Sequence, residues 1–352
     1  VLTGGGTAGH VTPNMAIIPK LRAAGWQIHY IGTKDGIERS LLEKFSDVQY
    51  HYVSCGKFRR YFSIKNFTDP FRVIKGVFQA RKIIKNVNPS VMFSKGGFVS
   101  VPVAIGCRMR GVPVVLHESD YTPGLANKLV APYASKICVT FDETLSHIKK
   151  SKGIYTGTPI RDELLHGSRE KGLELCGFDG SKPVVLVMGG SSGALALNEA
   201  LKAALDLVLA RFDVVHLCGA GKTDPSMNRK GYKSFEYLTA ELADVFAACD
   251  VVVSRAGANA VFEFLALHKP ALLIPLPLSS SRGDQLLNAE YFRKRDFAAV
   301  LIQEDITPEL FNEKLCALYD ERDKYIAAMK ATPQSNGTQA VLNVIFSVVE
   351  QS

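Results

Sequence analysis

Short runs of apolar and β-branched residues alternate along this chain with stretches whose apolar positions recur every three to four residues. The runs fall at Gln27–Ile31, Ser90–Phe93, Val112–His117, Lys136–Val139, Val184–Met188, Val214–Cys218, Val251–Ser254 and Ala271–Ile274. Helical periodicity occupies Asn14–Ala24, Ile37–Phe45, Phe71–Lys85, Ala196–Arg211 and Asn259–Leu267. Strands that are apolar on both faces must be covered on both, and strands joined through helices run parallel. The expected fold class is α/β with doubly wound sheets.

The pattern restarts midway. Val1-Leu2-Thr3 leads into Gly4-Gly5-Gly6-Thr7-Ala8-Gly9-His10, and Val184–Met188 leads into Gly189-Gly190-Ser191-Ser192-Gly193. A second turn follows a later strand in each half, Ser94-Lys95-Gly96-Gly97-Phe98 and Ser254-Arg255-Ala256-Gly257-Ala258. Two Rossmann-like domains are therefore expected, at 1–156 and 157–335, joined through Gly157-Thr158-Pro159-Ile160-Arg161. A final helix within 336–352 is expected to pack back on the first. A chain of 352 residues can fill two cores. Ligands of open α/β sheets bind beyond the carboxyl ends of the strands, so the expectation is two facing domains whose four turns line one cleft.

Charge changes this picture more than composition does. Up to residue 156 there are 22 Lys/Arg against 9 Asp/Glu, and beyond it 20 against 25, so the first half is expected to meet something anionic. The seven cysteines form no C-x-x-C pair, which suits reduced thiols rather than a disulfide framework. No apolar run reaches the ~20 residues of a membrane span, and no secretory leader pattern opens the chain.

Several motifs compete. Gly4-x-Gly6-x-x-Gly9 fits the dinucleotide fingerprint, but that fingerprint needs an acidic residue closing the second strand. Here the strand ends Tyr30-Ile31-Gly32-Thr33-Lys34, which argues against NAD. Gly221-Lys222-Thr223 resembles the end of a P-loop, yet His216 stands where the first glycine belongs. Gly189-x-Ser191-x-Gly193 fits a nucleophile elbow, but only His216 and His268 follow it, and His216 reads as a core residue of an apolar strand. The turn is better used to aim N–H groups and hydroxyls at a diphosphate. After Arg255-Ala256-Gly257, Glu263 is placed to accept two hydrogen bonds from a ribose diol. Asp284, Gln285 and Asn288 suit sugar hydroxyls, although a plain helix N-terminus gives the same pattern. No Asp-x-Asp pair occurs, so no metal is expected on such a motif. Between Lys57 and Lys82, eight basic residues interleave with six aromatic ones, among them Phe58, Arg59, Arg60, Tyr61, Phe62, Phe67, Phe71 and Lys75. Anionic lipid and single-stranded nucleic acid both suit that composition.

The segments GGGTAGHVTP (4–13), SKGGFVSVP (94–102), HESDYTPGLANK (117–128), GTPIR (157–161), MGGSSGA (188–194), SRAGANAVFE (254–263) and SRGDQLLNA (281–289) stand in one order across the whole chain. Together they resemble the MurG family, glycosyltransferases that add N-acetylglucosamine to lipid I in peptidoglycan synthesis. The resemblance implies the GT-B fold, two Rossmann-like domains facing across a cleft. It implies that Arg161, Ser191, Ser192 and Gly193 meet the UDP diphosphate, that Tyr237 and Leu238 border the uracil, and that Glu263 holds the ribose. Ala258, Asn259, Asp284, Gln285 and Asn288 would lie near the donor sugar. Thr7, Gly9, His10, Gly96, Gly97 and Phe98 would face the acceptor diphosphate, with Glu118 and Asn127 nearby. The basic-aromatic segment becomes a patch docking on an anionic membrane surface, at the cytoplasmic face, with cell-wall synthesis proteins as partners and no nucleic acid. Three departures from the family's usual pattern stand out: Ala8 in the first turn, Ser192 where Gln is common, and the pair Ser119-Asp120 where Gln-Asn is usual.

The implied reaction inverts the anomeric carbon of UDP-N-acetylglucosamine as the muramyl 4-hydroxyl of lipid I attacks, giving lipid II. His10 is the first candidate for the base and Glu118 the second. No cofactor is expected. Two alternatives use the same turns: a UDP-N-acetylglucosamine 2-epimerase, and a non-catalytic nucleotide-sugar or lipid-binding subunit.

Overall fold

The computed structural model describes residues 1–56, 65–190, 194–281, 283–332 and 336–351, with side chains from 71 onward in the helix that begins at 65. Contacts divide the chain into two units, Val1–Arg161 with Asn336–Ser352, and Asp162–Ser335.

The first unit alternates strand and α-helix as far as its last two strands. It opens with β1 (Leu2–Thr3), α1 (Thr12–Ala23), β2 (His29–Gly32), α2 (Ile37–Leu42) and β3 (Gln49–Tyr52). It continues through α3 (Lys65–Val87), β4 (Met92–Ser94), α4 (Ser100–Arg108), β5 (Val114–Glu118), α5 (Leu125–Val130), β6 (Lys136–Val139) and β7 (Gly153–Tyr155). The second unit holds α6 (Arg169–Cys176), β8 (Val184–Met188), α7 (Leu195–Leu209), β9 (Asp213–Leu217), β10 (Tyr232–Phe235), α8 (Leu242–Ala248) and β11 (Val251–Ser254). After these come α9 (Ala258–Ala266), β12 (Ala271–Leu273), α10 (Asp284–Lys294), β13 (Ala298–Val300), α11 (Pro308–Asp320) and α12 (Arg322–Lys330), and α13 (Thr338–Glu350) returns to the first unit.

Every strand pairing is parallel, in the orders β3-β2-β1-β4-β5-β6-β7 and β10-β9-β8-β11-β12-β13. In both sheets the order reverses beside the first strand, at β1/β4 and β8/β11, which is where such sheets bind ligands.

The first sheet has a core on each face. One holds Leu2, Ile17, Phe93, Val115 and Cys138 with Val341, Leu342 and Ile345 of α13. The other joins Ile31, Met92 and Leu116 to Ala80 and Ile84 of α3 and Val103 of α4. Helix α13 is tied down at its start, where Thr338 Oγ1 accepts from the Ile160 N–H (3.0 Å) and donates to the Ile160 carbonyl (3.2 Å). The Gly337 N–H donates to Thr158 O (2.9 Å). These bonds, with that from His117 to Gly157 O, keep 157–161 in the first unit, five residues beyond the boundary expected from sequence.

Helix α3 has two unlike faces. Gly76, Ala80 and Ile84 face inward, and the Gly76 Cα lies so close to Ser54 O that an added Cβ would come within 2.0 Å. Phe71, Ile74 and Phe78 stand on the other side at 75%, 54% and 62% exposure, flanked by Lys75. Among the described residues no helix is long and apolar enough to cross a membrane.

Candidate active site

At the end of β1 the chain runs through Gly4 and Gly5, both buried, to Gly6 at φ +88°, a conformation glycine adopts without strain. One 3-10 turn, Ala8–His10, leads into α1, where Pro13 sits at a first-turn position that needs no N–H donor. Thr7 is exposed and its hydroxyl lies 3.0 Å from His10 Nδ1, while His10 is half-buried.

The carboxylate that the β2 end lacks arrives from α2. Glu38 is fully buried; its Oε1 accepts from the Thr33 N–H (2.8 Å) and hydroxyl (2.6 Å), and its Oε2 from the Gly6 N–H (3.3 Å). A Cβ on Gly5 would come within 2.7 Å of Glu38 Cδ, and one on Gly32 within 2.8 Å of its Cγ, so these glycines make room for the side chain. The acid binds the chain's own donors rather than presenting itself to the ribose of a dinucleotide. Reading the second strand's end alone missed it, because the residue comes six positions after Gly32.

The second turn touches the first. Gly96 and Gly97 lie at φ +91° and +81°, and a Cβ on Gly97 would come within 2.3 Å of Gly5 O. Asn127 packs beneath Gly96, where an added Cβ would meet its Oδ1 at 2.9 Å. Glu118 closes β5 and is buried, accepting from the Asp120 N–H (2.9 Å), the Gly124 N–H (3.0 Å) and Asn127 Nδ2 (2.7 Å). Asn127 Oδ1 is a buried acceptor with no hydrogen-bond partner among the described residues. Such an orphan is rare without a ligand or water. Thr7, Gly9, His10, Gly96, Gly97 and Phe98 thus follow the carboxyl ends of the neighbouring strands β1 and β4, Glu118 is the last residue of β5, and Asn127 lies in the helix after it. A cavity of about 590 Å³ opens behind Glu118 and Asn127, with Lys128, His147, Lys149 and Lys152 in its wall.

In the second unit, β11 ends at Ser254 and Gly257 caps α9, which starts at Ala258 and Asn259 and carries the buried Glu263 in its second turn. Asn288 of α10 is 1% exposed; its Nδ2 donates to Ala256 O (3.0 Å), and its Oδ1 has no partner among the described residues. Asp284 lies in the first turn of α10, and Gln285 Oε1 accepts from the Leu276 N–H (3.1 Å). Tyr237 (68% exposed) and Leu238 follow β10. Arg161 is half-buried at the end of the first unit's main segment. Ser191, Ser192 and Gly193 lie outside the described residues, as do Phe58, Arg59, Arg60, Tyr61, Phe62 and the side chain of Phe67.

His216 is no triad member. Its Nδ1 meets Tyr232 Oη (2.8 Å) and its Nε2 meets Asn198 Oδ1 (3.0 Å), and burial pushes its pKa down to about 4. Among the described residues no three His, Cys, Asp or Glu side chains gather where they could hold a metal.

The crystal structure of Acinetobacter baumannii MurG superimposes with a TM-score of 0.77 at 24% identity, covering 98% of each chain. A putative UDP-N-acetylglucosamine 2-epimerase from Listeria monocytogenes does so with a TM-score of 0.71 at 11% identity, covering 100% of this chain and 96% of its own. Both likenesses concern the fold and do not choose between the two activities. Residues 1–139 match the glycosyltransferase family 28 N-terminal domain and residues 184–344 its C-terminal domain. The two family matches, rather than the fold, define the class of protein as a glycosyltransferase. The chain belongs to glycosyltransferase family 28. It is 53% identical over 346 residues to a Clostridium tetani protein named UDP-N-acetylglucosamine–N-acetylmuramyl-(pentapeptide) pyrophosphoryl-undecaprenol N-acetylglucosamine transferase, covering 98% of this chain and 96% of that one.

Proposed function

We propose that this enzyme transfers N-acetylglucosamine from UDP-N-acetylglucosamine to the muramyl 4-hydroxyl of an N-acetylmuramyl-(pentapeptide) pyrophosphoryl-undecaprenol, lipid I. The observation that carries the reading is 53% identity across nearly the full length of a relative bearing that name. Buried amide acceptors at Asn127 and Asn288, each beside a glycine turn, support it.

The acceptor oxygen attacks the anomeric carbon, the bond to the UDP oxygen breaks with its electron pair, and the hydroxyl proton passes to a base. His10 suits that role in the tautomer whose Nδ1–H donates to Thr7 Oγ1, which puts the lone pair on Nε2. Glu118 is the second candidate, though three donors already occupy its oxygens. Glu263 takes the ribose, Tyr237 and Leu238 the uracil, and Ala258, Asn259, Asp284, Gln285 and Asn288 the donor sugar. Arg161 and the Ser191–Gly193 turn stabilise the charge that grows on UDP. The displacement balances without a cofactor, and none is assigned.

The reaction is tested by following UDP release with and without a polyprenyl-diphosphate muramyl acceptor. Release only with acceptor is expected; a 2-epimer formed from donor alone would replace this reading with the epimerase. His10→Ala should lower kcat by ~100-fold or more, and an unchanged rate would remove His10 from the mechanism.

The outward face of α3 suits an anionic membrane at the cytoplasmic side, with Phe71, Ile74 and Phe78 entering the interface and Lys75 meeting headgroups. Phe71→Ser with Phe78→Ser should weaken binding to phosphatidylglycerol vesicles by ~10-fold or more, since each buried apolar side chain contributes about 1.5–3 kcal/mol when fully removed from water. Unaltered flotation would exclude this face.

A further inference from the structure

We propose that Lys95 is a positioning residue for the acceptor-side carboxylate Glu118: its buried ammonium fixes His117 in one neutral tautomer and ties down the segment 117–120 beside the Gly96–Gly97 turn. The inference rests on the acceptor-side role proposed for Glu118.

Lys95 directly follows β4 and is 1% exposed. Its N–H donates to Thr3 O (3.0 Å), and its Nζ donates to His117 Nδ1 (2.7 Å) and to Ser119 Oγ. An ammonium has no lone pair, so Nδ1 must accept. On the other side of the ring, Nε2 lies 2.9 Å from Gly157 O, which can only accept, so Nε2 carries the proton. Both ring nitrogens are consumed, and His117 neither accepts nor gives a proton in catalysis. Burial, reinforced by the Lys95 charge, holds its pKa well below the ordinary histidine range.

The result is a chain of contacts from the end of β4, through the end of β5, to Gly157. It grips the segment around Glu118 from one side. On the other, Glu118 is held by the Asp120 and Gly124 N–H groups and by Asn127. Loss of the Lys95 contacts would leave Ser119 and His117 without their donor, and Glu118 lies between them in sequence.

The clamp is titratable. The groups facing Lys95 are His117 and Glu118 of β5, Asp120 beyond it and Cys138 of β6. Burial pulls the ammonium down to about 7, against the opposing pull of Glu118, Asp120 and Cys138. Deprotonation removes the charge that strengthens both bonds. Activity should therefore fall as pH rises above about 7. Stability runs the other way: between about 7 and 10.5 the unfolded chain holds a proton that the folded one lacks, so this lysine adds stability as pH rises. A purely structural lysine would move activity and stability together.

The test compares wild type and Lys95→Met in transfer activity and in denaturant unfolding between pH 6 and pH 9. Methionine fills the space without burying a charge. The expected variant unfolds no more easily than wild type at pH 6.5, loses ~10–100-fold in kcat/KM through misplacement of the site, and lacks the activity limb near neutrality. Wild-type kcat/KM in the variant, or an unchanged limb, overturns the proposal. Selective 15N-histidine spectra give a second reading that does not depend on activity. In wild type His117 should stay the neutral Nε2–H tautomer down to pH 5; in Lys95→Met, where Nε2–H keeps Gly157 O but Nδ1 loses its donor and the depressing charge is gone, the Nδ1 signal should shift and the ring should titrate more readily. Identical His117 signals in both proteins also overturn it. A wild type that releases no UDP with acceptor at any pH would instead sink the transferase reading, leaving the spectra to judge the tautomer.

Discussion

Each sheet carries a buried cation in the same topological place. Lys95 follows β4, the neighbour of β1, and Arg255 follows β11, the neighbour of β8; both come between a buried serine and a glycine turn. Arg255 donates to the carbonyls of Ile274 (3.0 Å) and Pro275 (3.3 Å) and to Gln303 Oε1 (2.6 Å). None of those acceptors titrates, and a guanidinium keeps its charge throughout the accessible pH range. Lys95 ends on an imidazole and a hydroxyl, and its own proton can leave. Internal repetition thus conserves the position of a charge within one molecule, while the choice of side chain decides whether that position responds to pH.

The sharpest way to break this contrast is Arg255→Met, which leaves two backbone carbonyls and an amide without their donor. Loss of buried hydrogen bonds to a charged group should cost about 3 kcal/mol. Urea unfolding should show the same loss at pH 6 and pH 9; a loss that varies with pH would make Arg255 the equal of Lys95. The second unit has its own response, on the acid side. His216 is held neutral at a pKa of about 4 against an ordinary 6.5, so stability is lost as pH falls from 6.5 towards 4, where the unfolded chain takes up the proton first. That term amounts to ~2 kcal/mol between pH 7 and pH 5, and His216→Gln should flatten the unfolding profile accordingly.

Glu38→Gln sharpens the comparison at the first glycine turn. The amide turns one acceptor into a donor and opposes either the Gly6 N–H or Thr33. A loss of ~1–2 kcal/mol follows, read as a lower melting midpoint, together with a weaker kcat/KM for the acceptor. In the second unit's first glycine turn, Gly190→Ala meets no atom of the described residues within 4 Å of the new Cβ and should leave the midpoint unmoved. A smaller loss than that of Glu38→Gln belongs to Thr338→Val, which deletes both bonds to Ile160 and should cost ~1 kcal/mol in urea unfolding.

The limits of sequence reading follow the geometry of the sheets. β1, β2, β4, β5 and β6 of one sheet and β8, β9, β11 and β12 of the other lie between neighbours, and their apolar runs announced them. The strands that were not singled out, β3, β7, β10 and β13, are the four edges, although β13 lies in the apolar run Phe297–Ile302. Gln49-Tyr50-His51-Tyr52 and Tyr232-Lys233-Ser234-Phe235 carry polar side chains because an edge strand faces water along one side. At the site, glycine turns and the residues just after strand ends were legible, since a turn needs its glycine at a fixed offset. Glu38 and Lys95 were not singled out. A charged residue reads as solvent-exposed until the fold shows what covers it, and their partners come from Thr33, Gly6, His117 and Ser119 on other segments.

Helix α13 has a consequence for how the protein is made. It covers Leu2, Ile17, Phe93 and Val115, all encoded before the second unit begins, yet it is translated after that unit is complete. On the ribosome, the first sheet must wait through the synthesis of a whole second domain with part of one face bare. A nascent chain that stalls before residue 338 presents that greasy surface to chaperones and proteases. The first unit's core therefore closes only once residues 338–350 have been made, however early its strands were.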